Sequence, residues 1–114
     1  MASRFESSDS HPQQLLQPLR VPSLKGGIYQ TAKELIDDLP GWTLVSEDEE
    51  QGVLRCERAA RFMSGKSDVT VKVEGPEGVP STTVTLISET NGGMRSPDKA
   101  NVQEFMKLFL RRVV

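Results

Sequence analysis

SPDKANVQEFMKLFLRRVV, residues 96–114, is the stretch that decides the fold. At about 100° per residue, the turn angle of an α-helix, its large apolar side chains fall on one flank and its charged side chains on the other. Ser96 suits the N-cap position and Pro97 the first helical position. A helix with one apolar flank needs an apolar partner surface, which the rest of the chain has to supply. The flank comprises Val102, Phe105, Met106, Phe109, Leu110 and Val113.

A second amphipathic pattern predicts another helix at residues 28–39. Pro40 and Gly41 end it, because proline disfavours helical geometry at the preceding residue and glycine accepts the turn that follows. The residues just before it, Lys25, Gly26 and Gly27, predict a loose joint. The apolar positions at helical spacing are Ile28, Ala32, Leu35, Ile36 and Leu39.

Four runs between the two helices predict strands, at residues 42–46, 53–63, 68–74 and 82–88. The third has the clearest period of two, with valines alternating with polar residues. The acidic run 47–50 between the first two strands is typical of an exposed turn. In the second strand Arg58 breaks the alternation, which indicates either a bulge at 57–60 or an arginine that meets a carboxylate at the edge of the core.

These elements predict an α+β domain in the order α-β-β-β-β-α. We expect a two-layer sandwich in which a four-stranded antiparallel meander carries both helices on one face. The opposite face, with Thr43, Arg55, Arg61, Thr70, Lys72, Thr83 and Thr85, then faces solvent or a partner. The covered face is predicted to comprise Trp42, Leu44, Leu54, Cys56, Phe62, Val69, Val71, Val73, Val84 and Leu86.

Residues 1–27 precede the predicted domain, which spans 28–114. Residues 1–14 are rich in Ser, Gln and Asp and predict a disordered tail. Pro18 and Pro22 interrupt residues 15–24 and favour extended backbone, so this stretch predicts an apolar arm lying on the domain. Because apolar patches often mark interaction surfaces, the arm offers an alternative role in binding a partner or a second copy of the chain.

Composition and charge exclude several classes of function. The chain has 114 residues and a net charge of −2, so it lacks the basic excess that drives nucleic-acid binding. Aromatic residues make up only 5%, which leaves few platforms for stacking bases. No apolar run approaches the roughly 18 residues of a membrane span, and residues 1–14 lack the apolar segment of a signal peptide. We therefore expect a soluble, cytoplasmic protein.

The side chains available for catalysis are few. Cys56 is the only cysteine and His11, in the predicted tail, the only histidine, so a zinc site and a nucleophile–imidazole pair both lack their parts. We expect no enzyme, no cofactor and no metal. The remaining enzymatic alternative is a carboxylate-bound metal at Asp68 or Asp98.

The loop SETNGGMRS, residues 88–96, is the most promising site. Glycines ahead of a helix start leave backbone N–H groups facing outward, and the helix dipole favours an anion there. Arg95 adds a guanidinium fork for a phosphate or carboxylate. The alternative is that Gly92 and Gly93 only turn the chain and Ser96 only caps the helix.

Several short motifs resemble one family. QPLR at 17–20, LPGW at 39–42, KSDV at 66–69 and the run 84–101 are similar, in order and spacing, to the bacterial and plastid family of domains of unknown function numbered 1499. The resemblance implies a small α+β domain, often near an envelope or thylakoid membrane, with no settled reaction. It also implies that a strand aspartate stands at Asp68 and that the family's loop residues stand at Ser88, Thr90, Gly93, Asp98 and Asn101.

The sequence thus predicts a non-catalytic binding or protein-interaction domain. The expected partner is an unknown protein or a small anionic or amphiphilic ligand at the 88–96 loop and the start of the last helix. The alternative is a structural self-association module, a homo-oligomer joined through the 15–24 arm. The site is predicted to comprise Ser88, Thr90, Gly92, Gly93, Arg95, Ser96, Asp98 and Asn101.

Overall fold

The computed structural model describes residues 2–60 and 63–113. In this part of the chain it contains an antiparallel sheet, two α-helices and one short 3-10 helix. No helix among these residues is long and apolar enough to cross a membrane. The elements are β1 (Ala2–Glu6), the 3-10 helix (Gln14–Leu16), β2 (Leu19–Val21), α1 (Lys25–Asp38), β3 (Trp42–Asp48), β4 (Val53–Arg58), β5 (Ser67–Glu74), β6 (Thr82–Asn91) and α2 (Asp98–Val113).

The sheet has six strands in the described residues, not the predicted four. Its order is β1-β6-β5-β4-β3, and β2 also pairs with β6. β3 to β6 form the predicted antiparallel meander. The prediction missed that β6 has a second edge, along which β2 pairs with residues 82–84 and β1 with residues 87–91. The α+β class and the antiparallel sheet are confirmed.

The prediction of a disordered tail is wrong for residues 2–6. These residues form β1, in which Ser3 and Phe5 alternate inward, and Phe5 packs against the core. The following arm lies on the domain as expected, with Leu16 1% and Val21 5% exposed. Backbone pairing with β6 keeps both β1 and β2 in place. Without them, the edge of β6 would present a row of backbone hydrogen-bonding groups without partners.

The first or last residues of several elements also differ from the predicted ones. α1 begins at Lys25, so the expected loose joint is the first helical turn. β3 runs on to Asp48 and β6 to Asn91, which makes part of each predicted connection a strand. β4 ends at Arg58, well before the predicted residue 63. The expected positions of Arg61 and Phe62 lie outside the described residues.

Both helices pack on the same face of the sheet, as predicted. Their buried residues and the inward side chains of the strands form one apolar cluster. Aromatic rings connect sheet and helix: the centroids of Trp42 and Phe105 are 5.7 Å apart, and those of Phe105 and Phe109 are 5.3 Å apart. Leu44 is only partly buried at the margin. The central members of the cluster are Leu54, Cys56, Val69, Val71, Val73, Val84, Leu86, Val102 and Met106.

Of the two alternatives for Arg58, the contact with a carboxylate is confirmed. Its Nε donates to Oε1 of Glu104 on α2 at 3.1 Å, and Nε1 of Trp42 donates to the same oxygen at 2.6 Å. The sheet irregularity lies instead in β3, where the register shifts between Leu44 and Ser46. The arginine and the tryptophan thus fix the sheet edge to α2.

Candidate functional site

Five of the eight predicted site residues meet at a buried carboxylate. Asp98, at the start of α2, is 1% exposed. Its Oδ1 accepts hydrogen bonds from the hydroxyls of Ser88 at 2.7 Å and Thr90 at 2.6 Å. Its Oδ2 accepts from Ser96 at 3.2 Å, and the Asn101 amide donates to Ser88 Oγ at 3.1 Å. We call this group the Asp98 network.

Two members of the Asp98 network were missed by sequence analysis. The Ser3 hydroxyl on β1 donates to Oδ2 of Asp98, and Ser67 on β5 shares a 2.7 Å hydrogen bond with Thr90. The signal for Ser67 is its place two residues before Val69 in a strand of period two, which puts it on the inner face. Ser3 gives no such signal, because its strand is short and its partner lies 95 residues away.

The other three predicted residues stand apart from Asp98. Arg95 and Gly93 are exposed and Gly92 is half-buried. The backbone N–H of Arg95 donates to the Met63 carbonyl at 2.8 Å. Gly93 has a φ of 81°, and a Cβ there would lie 2.5 Å from the Gly65 nitrogen, so glycine is needed for the close approach of two backbones.

The chemistry of the Asp98 network is structural. One carboxylate accepts hydroxyl hydrogens from β1, β6 and the segment before α2, which ties the first strand to the last helix. Hydrogen bonds to a charged acceptor are the stronger kind, and here they satisfy a carboxylate that would be costly to bury alone. The negative charge of Asp98 also opposes a second anion beside it.

An open cavity lies elsewhere, where α1 begins. It has a volume of about 620 Å³ and is formed by three segments: the start of α1, the turn between β3 and β4, and the turn between β5 and β6. We call it the α1 cavity. Its lining residues are Leu24, Lys25, Gly26, Gly27, Tyr29, Glu49, Glu50, Glu77 and Gly78.

The N-terminal end of α1, the positive end of the helix dipole, lines the α1 cavity. Leu24 occupies the N-cap position and makes no side-chain cap hydrogen bond, and the first turn contains no acidic residue. The Ile28 N–H donates to the Leu24 carbonyl at 3.2 Å. The N–H groups before Ile28 precede the first turn and have no helical carbonyl to bind, so they carry a partial positive charge.

Gly26 and Gly27 keep their part of the wall open. Neither has a positive φ, and a Cβ at either position would meet no atom within 4 Å. Backbone conformation and packing would therefore accept a side chain at both positions. Glycine costs up to about 1 kcal/mol relative to alanine in a helix. What the glycines provide in return is free space on the cavity side of α1.

Tyr29 forms part of the same wall and carries an unpaired polar atom. The residue is 4% exposed, and among the described residues its hydroxyl is the one buried side-chain oxygen or nitrogen without a hydrogen-bond partner. Burial, and then the carboxylates of Glu47 and Glu49, raise the pKa of the phenol above its ordinary value. The hydroxyl thus keeps its proton at neutral pH, but its oxygen is closed off from the open space of the cavity.

The rim of the α1 cavity is acidic. Glu49 and Glu50 come from one turn and Glu77 from another, and all three are exposed. Lys25 is the one cation of the lining, and its Nζ lies 3.4 Å from the Glu50 carbonyl oxygen. Neighbouring Glu47, outside the lining, is paired with Lys33 at 2.9 Å. Residues 49–50 of the acidic run that was predicted to be a solvated turn therefore also form a cavity wall.

The usual catalytic groups are not assembled in the described residues. Cys56 is 2% exposed, and burial raises the pKa of its thiol to about 12, so the nucleophilic thiolate is absent at neutral pH. Among the residues that the structure describes, no three His, Cys, Asp or Glu side chains are grouped as ligands of a metal ion.

No family model matches the chain, and no curated protein matches it either. Solved structures do. Ara h 8.0201 aligns over 99% of this chain and 98% of its own, with 14% identity and a TM-score of 0.60. The chain has a Bet v1-like fold.

Two enzymes also have this Bet v1-like fold. Norcoclaurine synthase from Thalictrum flavum, in complex with dopamine and hydroxybenzaldehyde, aligns over 97% of this chain and 88% of its own, with 13% identity and a TM-score of 0.57. Zhui aromatase/cyclase from Streptomyces sp. R1128 aligns over 98% and 86%, with 8% identity and a TM-score of 0.55. These identities establish the fold alone, and the resemblance to the family numbered 1499 stays a prediction.

Proposed function

We propose that this protein is a non-catalytic domain that binds a small molecule in the α1 cavity. The cavity volume of about 620 Å³ is within the range of roughly 300 to 1,000 Å³ that ligand sites occupy. The wall combines apolar surface from Leu24 with a few polar groups, which is the usual composition of such sites. The Bet v1-like fold supports the proposal, because one protein that shares it is bound to small aromatic molecules.

The α1 cavity itself is the single observation that carries the proposal. It is open to solvent, and backbone at Gly26, Gly27 and Gly78 forms part of its wall. A Cβ at any of these three glycines would meet no atom within 4 Å, so this part of the wall leaves room for a ligand.

The chemistry of the lining favours binding over catalysis. Its titratable side chains are three glutamates, Lys25 and Tyr29. No imidazole or thiol lines the cavity, so the nucleophile–base pairs of acyl transfer have no counterpart there. We therefore propose a carrier or sensor of its ligand.

The earlier predictions receive less support than the α1 cavity. An anion at the 88–96 loop would lie near the buried charge of Asp98. Self-association through the 15–24 arm would have to use residues such as Leu16 and Val21, which the domain already covers. Both remain predictions, as do the protein partner and the cytoplasmic location.

A fragment screen tests the proposed function. We expect bound fragments to raise the melting temperature and to shift the amide signals of Gly26, Gly27 and Gly78. Gly27→Leu should abolish these shifts, because its side chain occupies cavity space. The variant should fold at least as stably as the wild type, because leucine favours helix more than glycine does.

The matched control is Gln30→Leu, an exposed position of the same helix outside the lining. This variant should bind fragments as the wild type does. The proposal is wrong if no fragment moves the cavity amides, or if Gly27→Leu binds the hits with unchanged affinity.

A further inference from the structure

We propose that residues 87–91 of β6 form a strand-binding site, which β1 occupies within the chain and which an extended segment of another protein occupies when β1 is released. We call these residues the β6 edge. The expected segment carries a serine or threonine and, two positions later, an aromatic residue. The inference goes beyond the proposed function and does not depend on the α1 cavity.

The β1 strand has few buried side chains. Ala2, Arg4 and Glu6 are exposed, and only Ser3 and Phe5 are half-buried. Among the described strands, β1 pairs with β6 alone, so its backbone is held on one side. Segments with little buried surface open locally at a lower free-energy cost than the core does. We therefore expect β1 to separate from β6 while the rest of the domain stays folded.

The β6 edge has the properties of a peptide-binding strand once β1 is absent. Residues 87–91 then present backbone N–H and C=O groups that β1 had paired. Asp98, which is 1% exposed in the closed structure, loses the hydroxyl of Ser3. An extended peptide added to such an edge gains affinity from backbone hydrogen bonds and specificity from alternate side chains.

The side chains of β1 show what the β6 edge accepts. The Ser3 hydroxyl donates to Oδ2 of Asp98, so a hydroxyl fits this position. Phe5 lies on the same face two residues later and packs against the core, with the Lys99 Nζ 5.8 Å from its ring centroid. Arg4 lies between them and is exposed, so its position accepts many residue types. These contacts define the expected pattern of a hydroxyl, any residue and an aromatic ring.

Ser7 limits how far β1 is released. It is 5% exposed, its N–H donates to the Leu86 carbonyl at 2.9 Å, and its Oγ accepts from the Leu86 N–H at 3.0 Å. Residues 2–6 therefore open as a unit while the chain from Ser7 onward stays attached. A strand of five residues spans only about 17 Å. It is too short to reach the β6 edge of a second copy that is not already docked, which favours a different protein as the source of the segment.

Competition between β1 and an added peptide provides the test. The apparent dissociation constant of the peptide equals the intrinsic one divided by the fraction of open molecules. The full chain with Ser3→Ala and Phe5→Ala loses the inward contacts of β1 and keeps the β6 edge intact. It should bind a peptide with the sequence of residues 2–7 at least about tenfold more tightly than the wild type, because a hydrogen bond to a charged group contributes about 1.5 to 3 kcal/mol. The amide signals of residues 87–91 and Asp98 should shift.

The matched control is the full chain with Arg4→Ala and Glu6→Ala. These substitutions alter the same strand on its exposed face, where the two side chains form an exposed ion pair at 2.9 Å. Peptide affinity should stay close to that of the wild type, since exposed pairs contribute about 0 to 1 kcal/mol. A peptide with alanine at the positions of Ser3 and Phe5 should bind the opened variant at least about tenfold more weakly than the unaltered peptide.

Hydrogen exchange of the wild type provides a measurement that needs no variant. The hydrogen-bonded amides of β1 should exchange faster than those of the central strand β5, because β1 opens without global unfolding. This measurement decides the question even if the opened variant does not fold.

Several results would overturn the proposal. Exchange of β1 as slow as that of β5 would mean that β1 opens only when the whole domain unfolds. The proposal is also wrong if a folded opened variant binds the peptide no better than the wild type, or if the shifted amides lie away from the β6 edge. Equal binding of the alanine peptide would overturn the expected side-chain pattern.

Discussion

Tyr29 is the only tyrosine of the chain, so its ionisation can be measured without interference. Burial and nearby carboxylates raise the pKa of its phenol. In an alkaline titration, ultraviolet absorbance should therefore give a pKa above the ordinary value of about 10. Between that value and the raised pKa the unfolded chain releases the proton while the folded chain keeps it. The contribution of Tyr29 to stability should accordingly be constant below about pH 10 and fall above it.

Tyr29→Phe is the control for this titration. The variant lacks the ionising group, so its alkaline loss of stability should be smaller, and it should be at least as stable as the wild type at pH 7 because it removes an unpaired buried hydroxyl. Chemical unfolding at a series of pH values measures both effects. A phenol that titrates at its ordinary pKa would mean that Tyr29 is more solvated than the structure shows.

At the scale of single residues, sequence analysis found polar side chains that lie close together, and the ligand-binding role it assigned to them stays a prediction. Ser88, Thr90, Ser96, Asp98 and Asn101 were grouped correctly because a strand end and a helix start flank one short loop. The sequence did not show that Asp98 points inward and is hydrogen-bonded within the chain, because no local pattern reveals whether a residue in the first helical turn faces a ligand or the core.

Tyr29 was missed for a related reason. A tyrosine beside an apolar helical stripe is typical of an ordinary core residue. Its place in the wall of the α1 cavity depends on the packing of three segments, which only the folded structure reveals.

Among the elements, α2 offers the sharpest test of the fold. Phe109 is fully buried, so Phe109→Ala should lower the free energy of unfolding by about 3 to 5 kcal/mol, through lost burial and the cavity left behind. Arg112 forms an exposed ion pair with Asp38 at 2.9 Å, and such pairs contribute about 0 to 1 kcal/mol. Arg112→Ala should therefore change stability by less than about 1 kcal/mol. Denaturant unfolding of both variants provides the measurement, and equal effects would contradict the orientation of α2.

The elements also show which parts of a fold a sequence encodes locally. β3 to β6 and both helices were predicted because each repeats an apolar position along its own length. β1 and β2 were not, since a strand of three to five residues contains too few repeats to establish a period. Their strand character comes from the free edge of β6, which is distant in the chain.

The start of α1 was misplaced because Gly26 and Gly27 have weak helix propensity. The structure extends the helix through both glycines, and the Ile28 N–H closes the first turn on the Leu24 carbonyl.

The whole molecule has a radius of gyration of 13.6 Å, close to the value of about 13 Å expected for a compact chain of this size. We expect a monomer in solution, because most apolar residues of the 15–24 arm already pack on the chain's own core. Sedimentation velocity over a wide concentration range is the appropriate measurement. A dimer at low concentration would favour the self-association role of the arm, and Leu24→Ser would then show whether the exposed Leu24 holds the two copies together.

The α1 cavity forms only when distant segments of the chain pack together. Its three walls come from residues 24–29, 49–50 and 77–78, and each segment alone resembles an ordinary turn or helix start. Sequence periodicity describes one element at a time, so it contains no information about a space between three of them. This explains why the predicted site and the proposed site lie at different places.

The bond between Ser3 and Asp98 sets an order of events during synthesis. These residues are 95 positions apart, so β1 leaves the ribosome long before α2 exists to receive it. Its pairing partner β6 is also synthesised late. β1 therefore has no strand to pair with during most of translation. Contacts over such long separations are typical of slow folding. We therefore expect the part of this domain that is made first to be among the last to reach its native contacts.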